Sequence, residues 1–470
     1  MFARSCALVL GLLAPVGPAS QAAGRPNVLF LFSDDQRADT IHALGNAAIE
    51  TPGLDRLVAR GAVFTRAYCM GAEQGAVCVP SRAMLMTGRT LFRIKPDLDG
   101  QATWPEAFAK AGYETFITGK WHNQAPSLLR TFQEGRNVFL GGMGADPYAL
   151  PVQDIGPDRK LSEKKPSGKH CVEFFSDTVI EFLKRRKEGK PFLAYVAFNA
   201  PHDPRIAPKN YHDRYNAAKP PLPENFLPQH PFNNGNMAGR DEELAPWPRT
   251  PEVVRQHLAD YYASISFLDA QVGRILDALK ESGLEENTIV VYSSDHGLAI
   301  GSHGLFGKQN LYDHSMHAPL LLAGPGVPQG KRFDALAYLL DIFPTLGDLA
   351  GVAPPDGNEG KSLAPVLRGT AAKTRDSLFT AFTKIQRALR DDRWKILVYP
   401  RINKTQLFDL VKDPCEMKDL SADPAFEAEM TRLTALLEAT QRDCADHLPL
   451  KTDKPESPEF DFTKVKPAKK

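Results

Sequence analysis

Neither sign of charge dominates this sequence. Lys and Arg number 57 against 56 Asp and Glu in 470 residues, a net charge of +1. That leaves no basic footprint of the kind a phosphate backbone demands, so nucleic acid is excluded as a partner. Beyond the first two dozen residues there is no apolar run long enough to cross a bilayer, and no stable membrane anchor is expected. Internal repeats are missing too, which excludes solenoids and propellers. With 43% hydrophobic and 24% charged residues, 35 Gly and 38 Pro, the composition is neither disordered, collagen-like nor coiled-coil.

Cysteine is scarce, six in all, and its placement depends on the chain's start. Arg4 followed by the apolar run ALVLGLLAPV at 7–16 and by Ser20-Gln21-Ala22 has the form of a secretory signal cleaved after residue 22. No Cys follows that site, so lipidation is not expected, and the product is expected to be exported, periplasmic or secreted. Cys6 would leave with the signal, and so would Arg4, bringing the charge balance to zero. Five cysteines then remain: Cys69, Cys78, Cys171, Cys415 and Cys444. An odd number in an oxidising compartment gives at least one of them another role. Cys415 and Cys444 share the C-terminal region, where a pairing stays open. Cys171 opens an amphipathic stretch with Val172, Phe175, Val179 and Phe182, which predicts burial.

Apolar runs at 28–33, 113–118, 192–199, 288–294 and 318–323 alternate with helical patterns. The clearest helix carries Ile265, Leu268, Val272, Ile275 and Leu279 between 262 and 279. The fold class expected is α/β: a large mixed, mostly parallel sheet flanked by helices. Residues 201–251, crowded with Pro, Asn and Gly, predict a long irregular excursion of the functional kind. After 374 the pattern changes to short strands at 378–382, 394–399 and 406–410 and a helix over about 425–444. The domain reading is a signal at 1–22, a catalytic domain at 23–374, a C-terminal α+β subdomain with a small antiparallel sheet at 375–450, and a loose tail at 451–470.

The informative pattern lies just past each strand. Asp34 and Asp35 come after the first, Lys120 and His122 after the second, His202 after the third, Asp295 and His296 after the fourth. In an open parallel sheet these C-terminal strand ends share one edge, where ligands bind. Any one of these side chains could be a solvated loop residue, but four strands ending this way argue for a cleft. Asp34, Asp35 and Asp295 brought together would repel unless a divalent cation held them, and oxygen ligands suit Ca²⁺ best, then Mg²⁺. Capping of a following helix is the other reading of the Asp-Asp pair. Cys78-Val79-Pro80-Ser81-Arg82 reads as a loop entering a helix, which sets Cys78 where free N–H groups stabilise an anionic nucleophile. A disulfide to Cys69 is the alternative.

Cys78-x-Pro80-Ser81-Arg82 with Thr87-Gly88-Arg89 resembles the signature of the type I sulfatases of the alkaline phosphatase superfamily. Gly119-Lys120-Trp121-His122, Pro201-His202-x-Pro204, Ser294-Asp295-His296-Gly297 and Gly307-Lys308 match the family's other blocks in order. The resemblance runs from about residue 27 to 420 and includes Leu407-Phe408-Asp409-Leu410 ahead of Asp413-Pro414.

It implies that a maturation enzyme oxidises Cys78 to formylglycine. One hydroxyl of the hydrated aldehyde would attack sulfur, and the other would allow sulfate to be expelled afterwards. By the same resemblance Asp34, Asp35, Asp295 and His296 bind the cation together with residue 78, and Arg82 holds the diol. Lys120 and Lys308 would grip the sulfate, His122 would deprotonate the nucleophile, and His202 would protonate the leaving alcohol. Many members carry Asn where His296 stands; the His and the segment Gly301-Ser302-His303-Gly304 resemble the branch of iduronate sulfatase. His303 is read there either as facing the substrate or as stabilising a turn. The function implied is hydrolysis of sulfate monoesters, with a sulfated small molecule or glycan as substrate. Phosphate or phosphonate ester hydrolysis and non-catalytic glycan binding are the other readings.

Overall fold

A computed structural model describes residues 24–186 and 189–464. The expected signal at 1–22 lies outside the described residues. Eight strands form the main sheet, in the order Lys331–Phe333, Ala62–Phe64, Leu320–Ala323, Thr288–Ser294, Asn27–Ser33, Phe192–Ala197, Glu114–Lys120 and Glu134–Phe139. The last five run parallel to one another, while Leu320–Ala323 is antiparallel to Thr288–Ser294. The sheet is mixed and mostly parallel, as expected.

Every residue of the central strand Asn27–Ser33 is buried. The reason is that both faces are covered, which removes the polar alternation of a half-exposed strand. Val28, Phe30 and Phe32 join one apolar core, and Leu29 and Leu31 join another on the opposite face. The second core is roofed by Pro52–Arg60, Cys171–Lys184 and the long helix Pro251–Glu281. Cys171 is buried at its helix start as predicted. The helix anticipated over 262–279 is thus longer at both ends, with Thr250 capping its start through the Val253 N–H.

On the first face lie Cys78–Thr87 and the C-terminal sheet. That sheet runs Lys404–Asp409, Trp394–Tyr399, Gln386–Arg390, Leu378–Phe382 and Gly71–Ala72. Helix Glu427–Asp443 packs against it through Leu433 and Leu437. The strand Gln386–Arg390 is not apparent in the sequence because two arginines break its apolar pattern. Both are buried against acids: Arg387 on Asp446 and Arg390 on Asp313. Gly71–Ala72 is equally unmarked. It comes from just upstream of Cys78 and pairs in parallel with Leu378–Phe382. At Gly71, with φ +104°, a Cβ would lie 1.9 Å from the Ala381 carbonyl oxygen, so only glycine fits.

Two expectations need correction. The excursion 201–251 is not wholly irregular, since it contains the helix Lys209–Ala218 and the 3-10 turn Arg240–Leu244. The tail through residue 464 is laid against the body rather than loose. The Asn233 N–H donates to the Pro458 carbonyl at 2.7 Å, and the Phe462 ring sits 4.8 Å from Trp247.

Candidate active site

The parallel strands end together, and the residues just past them converge. Asp34, Asp35, Lys120, Asp295 and His296 meet Cys78, Arg82 and Lys308, all of them 3% exposed or less. Local backbone explains the convergence. Asp35 holds a left-handed φ of +66°, a costly state for a non-glycine residue. Its N–H donates to the Asp295 carboxylate at 3.0 Å, and the Tyr261 hydroxyl donates to its carbonyl at 2.6 Å. Capping does not explain the Asp-Asp pair, because the next helical turn begins only at His42.

Cys78 is the first residue of its helix. The Asn123 side-chain amide donates to the Val79 carbonyl at 3.1 Å, and the Ser81 hydroxyl to the Asp295 carbonyl at 2.7 Å. The nucleophile candidate is thereby pinned to two strand ends. No disulfide claims it: all five described cysteines are free, and Cys415 and Cys444 are unpaired.

Three cations face three carboxylates. Lys120 pairs with Asp34, and Lys308 Nζ lies 2.8 and 3.0 Å from the two Asp35 oxygens. Arg82 Nη2 is 3.2 Å from Asp295 and 3.7 Å from Asp34. His296 lies 3.5 Å from Asp35 and 3.7 Å from Asp295. Three buried atoms of the cluster have no hydrogen-bond partner, Asp34 Oδ1, His296 Nε2 and Arg82 Nε, and the first two are metal-ligand atoms. Such orphans are costly unless something binds them. Ligand atoms of Asp34, Asp35 and Asp295 lie within 4.8 Å of one another, as do those of Cys78, Asp295 and His296. An oxygen-rich, partly orphaned donor set of this kind fits a divalent cation.

The charges separate two thiols of similar burial. Burial alone would raise Cys78, but Lys120 and Lys308 outweigh it and hold the thiol well below its ordinary value. Cys69 has no such neighbours, and burial pushes it up to about 12. Burial also raises Asp295 to about 7, with Asp34 adding to the effect. At His296 burial acts downward, but Asp295 and Asp35 lift the imidazole to about 9.

At His122 burial is the largest influence and lowers its pKa, favouring the neutral ring, although neighbouring Cys78 pulls the other way. A Cβ on Gly142 would sit 2.3 Å from His122 Nε2, so a glycine makes room for that ring. His202 anchors Nδ1 on the Asp203 carbonyl at 2.8 Å and sets Nε2 3.8 Å from Asp35. Beside it is a cavity of about 30 Å³ lined by Gly142, Met143, Asn199 and Asp203. A larger cavity of about 770 Å³, between Tyr68, Tyr262 and Cys415, includes none of the clustered residues. Chemistry rather than size locates the site.

His303 is the one site residue the structure does not bring in. Its ring stacks on Tyr312 at 4.0 Å and Nε2 meets the Glu416 carbonyl at 2.9 Å. Its turn-stabilising reading replaces the substrate-facing one, because the ring is spent on packing. Other residues carry no mark in the sequence. Buried Glu242 accepts from the N–H groups of Phe306 and Gly307 at 3.0 and 2.8 Å, and pairs with buried Arg249 at 2.6 Å, fixing the loop that carries Lys308. Nothing local in the sequence singles out that pair. Asp203, by contrast, is legible as the neighbour of His202.

The sulfatase family profile matches residues 26–352, well over half of the chain and the stretch that holds every clustered residue. The chain belongs to the sulfatase family. It is a sulfuric ester hydrolase. A second profile, described as N-sulphoglucosamine sulphohydrolase, C-terminal, matches residues 301–443. A sulfatase of Formosa agariphila is 31% identical over 88% of this chain and 87% of its own length. An N-acetylglucosamine-6-O-sulfatase of Bacteroides thetaiotaomicron is 26% identical over 94% of this chain and 90% of its own. Two solved structures share the fold. One, in complex with D-glucosamine-2-N,6-O-disulfate, has a TM-score of 0.75 at 24% identity, over 91% of this chain and 99% of that one. The other, a phosphonate monoester hydrolase of Agrobacterium radiobacter, scores 0.73 at 23% identity, over 93% and 100%.

Proposed function

We propose that this sulfatase is exported and removes sulfate from carbohydrate monoesters, using a formylglycine made from Cys78 by a maturation enzyme. The observation that carries the reading is Cys78 itself. It starts a buried helix, its sulfur lies within 4.8 Å of ligand atoms of Asp295 and His296, and Lys120 and Lys308 are close enough for their charges to outweigh its burial. A structural cysteine needs no such surroundings, as Cys69 illustrates. Formylglycine supplies a hydrated aldehyde, one hydroxyl of which attacks sulfur while the other later releases sulfate.

The side chains divide the remaining work. Lys120 and Lys308 hold sulfate oxygens and balance charge growing on them, a role that a dry site strengthens. His122, close to residue 78 and favoured by burial as the neutral ring, takes the proton of the attacking hydroxyl. His202, on the side of the small cavity, gives a proton to the departing alcohol oxygen. Arg82 lies against Asp34 and Asp295 and holds the hydrated group at residue 78. Asp34, Asp35, Asp295 and His296, with residue 78, would hold a divalent cation, Ca²⁺ before Mg²⁺, which supplies positive charge beside the sulfate.

A carbohydrate substrate is favoured by the N-acetylglucosamine-6-O-sulfatase relative and by the N-sulphoglucosamine sulphohydrolase profile at the C-terminus. Export rests on the segment at 1–22. The fold shared with a phosphonate monoester hydrolase supports a second reading, hydrolysis of phosphate or phosphonate esters. Turnover of 4-nitrophenyl sulfate, phosphate and phenylphosphonate by matured enzyme separates the two. The sulfate ester is expected to be favoured; a clear preference for either phosphorus ester overturns the proposal.

A further inference from the structure

The stretch 451–462 is tied down at two places. The first is the turn after Trp394–Tyr399. There the Thr452 N–H donates to Asn403 Oδ1 at 2.9 Å, Asn403 Nδ2 donates back to the Thr452 carbonyl at 2.8 Å, and the Glu456 N–H donates to the Arg401 carbonyl at 2.7 Å. The second is the 201–251 excursion, where the Asn233 N–H meets the Pro458 carbonyl and the half-buried Phe462 ring lies 4.8 Å from Trp247. Phe460 backs Phe462 edge-on at 5.0 Å. The stretch thus ties the C-terminal sheet to the excursion.

From Trp247 the contacts continue inward without a gap. The Arg249 guanidinium lies 3.4 Å from the Trp247 ring and 4.9 Å from the Phe306 ring. Its partner Glu242 holds the N–H groups of Phe306 and Gly307. The excursion also grips the chain just before them. The His303 N–H donates to the Asn225 carbonyl at 2.7 Å, and His230 Nδ1 donates to the His303 carbonyl at 2.9 Å. Lys308 comes next, with Nζ on both oxygens of Asp35.

Trp247 is the link on which this chain of contacts turns. Its indole Nε1 is buried and makes no hydrogen bond, so the ring is placed by packing alone. Arg249 supplies a cation against the ring and Phe462 supplies an aromatic neighbour. Without Phe462 the indole gains freedom to turn, and the guanidinium that clasps Glu242 loses its fixed neighbour. We infer that Phe462 is a positioning residue for sulfate hydrolysis, acting through Trp247, Arg249 and Glu242 to hold Lys308 in place. The role of Lys308 comes from the sulfatase reading above, and the inference rests on it.

The experiment is a double-mutant cycle on matured, full-length enzyme. It reads kcat/KM on 4-nitrophenyl sulfate and the inhibition constant of inorganic sulfate, at a temperature where urea unfolding shows every variant folded. Phe462→Ala is expected to lower kcat/KM by about threefold to tenfold and to weaken sulfate inhibition by a similar factor, because the ion meets the same lysine. Phe462→Tyr keeps the ring and is expected to stay within about twofold of wild type. In a Lys308→Ala background, Phe462→Ala is expected to cost no more than about a further twofold, since the residue it acts through is gone. Wild-type kcat/KM in Phe462→Ala overturns the inference, and so does a loss that leaves sulfate inhibition unchanged. The full loss repeated on top of Lys308→Ala, or an equal loss in Phe462→Tyr, overturns it as well, because general loosening predicts the first and a role independent of the ring predicts the second. Failure of the wild-type enzyme on every sulfate ester overturns instead the sulfatase reading beneath it.

Discussion

Substituting Glu242 tests how the excursion supports the Lys308 loop. Its carboxylate accepts two backbone N–H groups, from Phe306 and Gly307, and pairs with an Arg249 side chain that has no solvent exposure. Arg249 itself packs over the Trp247 ring at 3.4 Å, and burial lowers it to about 10 despite Glu242. Glu242→Leu strands a buried guanidinium and two backbone donors at once. Breaking a buried pair costs ~3–5 kcal/mol and each orphaned donor ~1–3 more, so a loss of about 5 kcal/mol or more is expected. In Arg249→Leu the carboxylate keeps its two backbone donors, and about 3 kcal/mol is expected. The double variant removes both charges and leaves only the orphaned donors, so it should cost about 4 kcal/mol rather than the roughly 8 of simple addition. Equilibrium urea unfolding followed by tryptophan fluorescence measures all three. At a temperature where Glu242→Leu stays folded, kcat/KM on an aryl sulfate should fall at least about tenfold, because Lys308 follows the loosened turn. Additive energies, or a loss under about 1 kcal/mol in Glu242→Leu, would refute the reasoning.

Three further outcomes are expected. His202→Ala should lose most of its rate on sugar sulfates, whose leaving alcohols need a proton, and far less on aryl sulfates; equal losses on the two would argue against His202 as the proton donor. Lys308→Ala should lower kcat/KM by about 100-fold or more on both kinds of ester, since it is assigned to the sulfate itself, and a loss confined to one kind would contradict that assignment. Acid should destabilise the fold through His230 and His303, which burial lowers to about 3 and about 4. Below a free-histidine value of about 6.5 the unfolded chain binds protons that the folded one refuses, so stability should decline from about pH 6.5 towards pH 4. Replacing His303 with Gln should flatten that decline in pH-dependent urea unfolding, and an unchanged slope would remove His303 from the account.

Much of the site is legible in the sequence because its residues sit directly after strands. A strand buried on both faces is a solid apolar run, and the polar residue that ends it is conspicuous: Asp34 after Ser33, Asp295 after Ser294. Position along the chain then implies position along one sheet edge. Residues that act through long-range pairing leave no such mark. Glu242 and Arg249 lie in a loop of mixed polarity, and only the fold reveals that they clasp Phe306 and Gly307. The strand Gln386–Arg390 is hidden for a related reason, since arginines paired with distant acids make a buried strand look exposed. His303 shows the reverse error. A histidine near a motif invites a functional role, yet stacking on Tyr312 and a bond to the Glu416 carbonyl claim the whole ring.

The central claim is that Cys78 works as formylglycine, and mass spectrometry of the tryptic peptide 67–82 from active, matured protein tests it most directly. That peptide holds both Cys69 and Cys78. Fragment ions are expected to place the aldehyde or its hydrate at Cys78 and an unmodified thiol at Cys69. A fully active enzyme whose Cys78 remains a thiol, or is joined to Cys69 as a disulfide, would contradict the account.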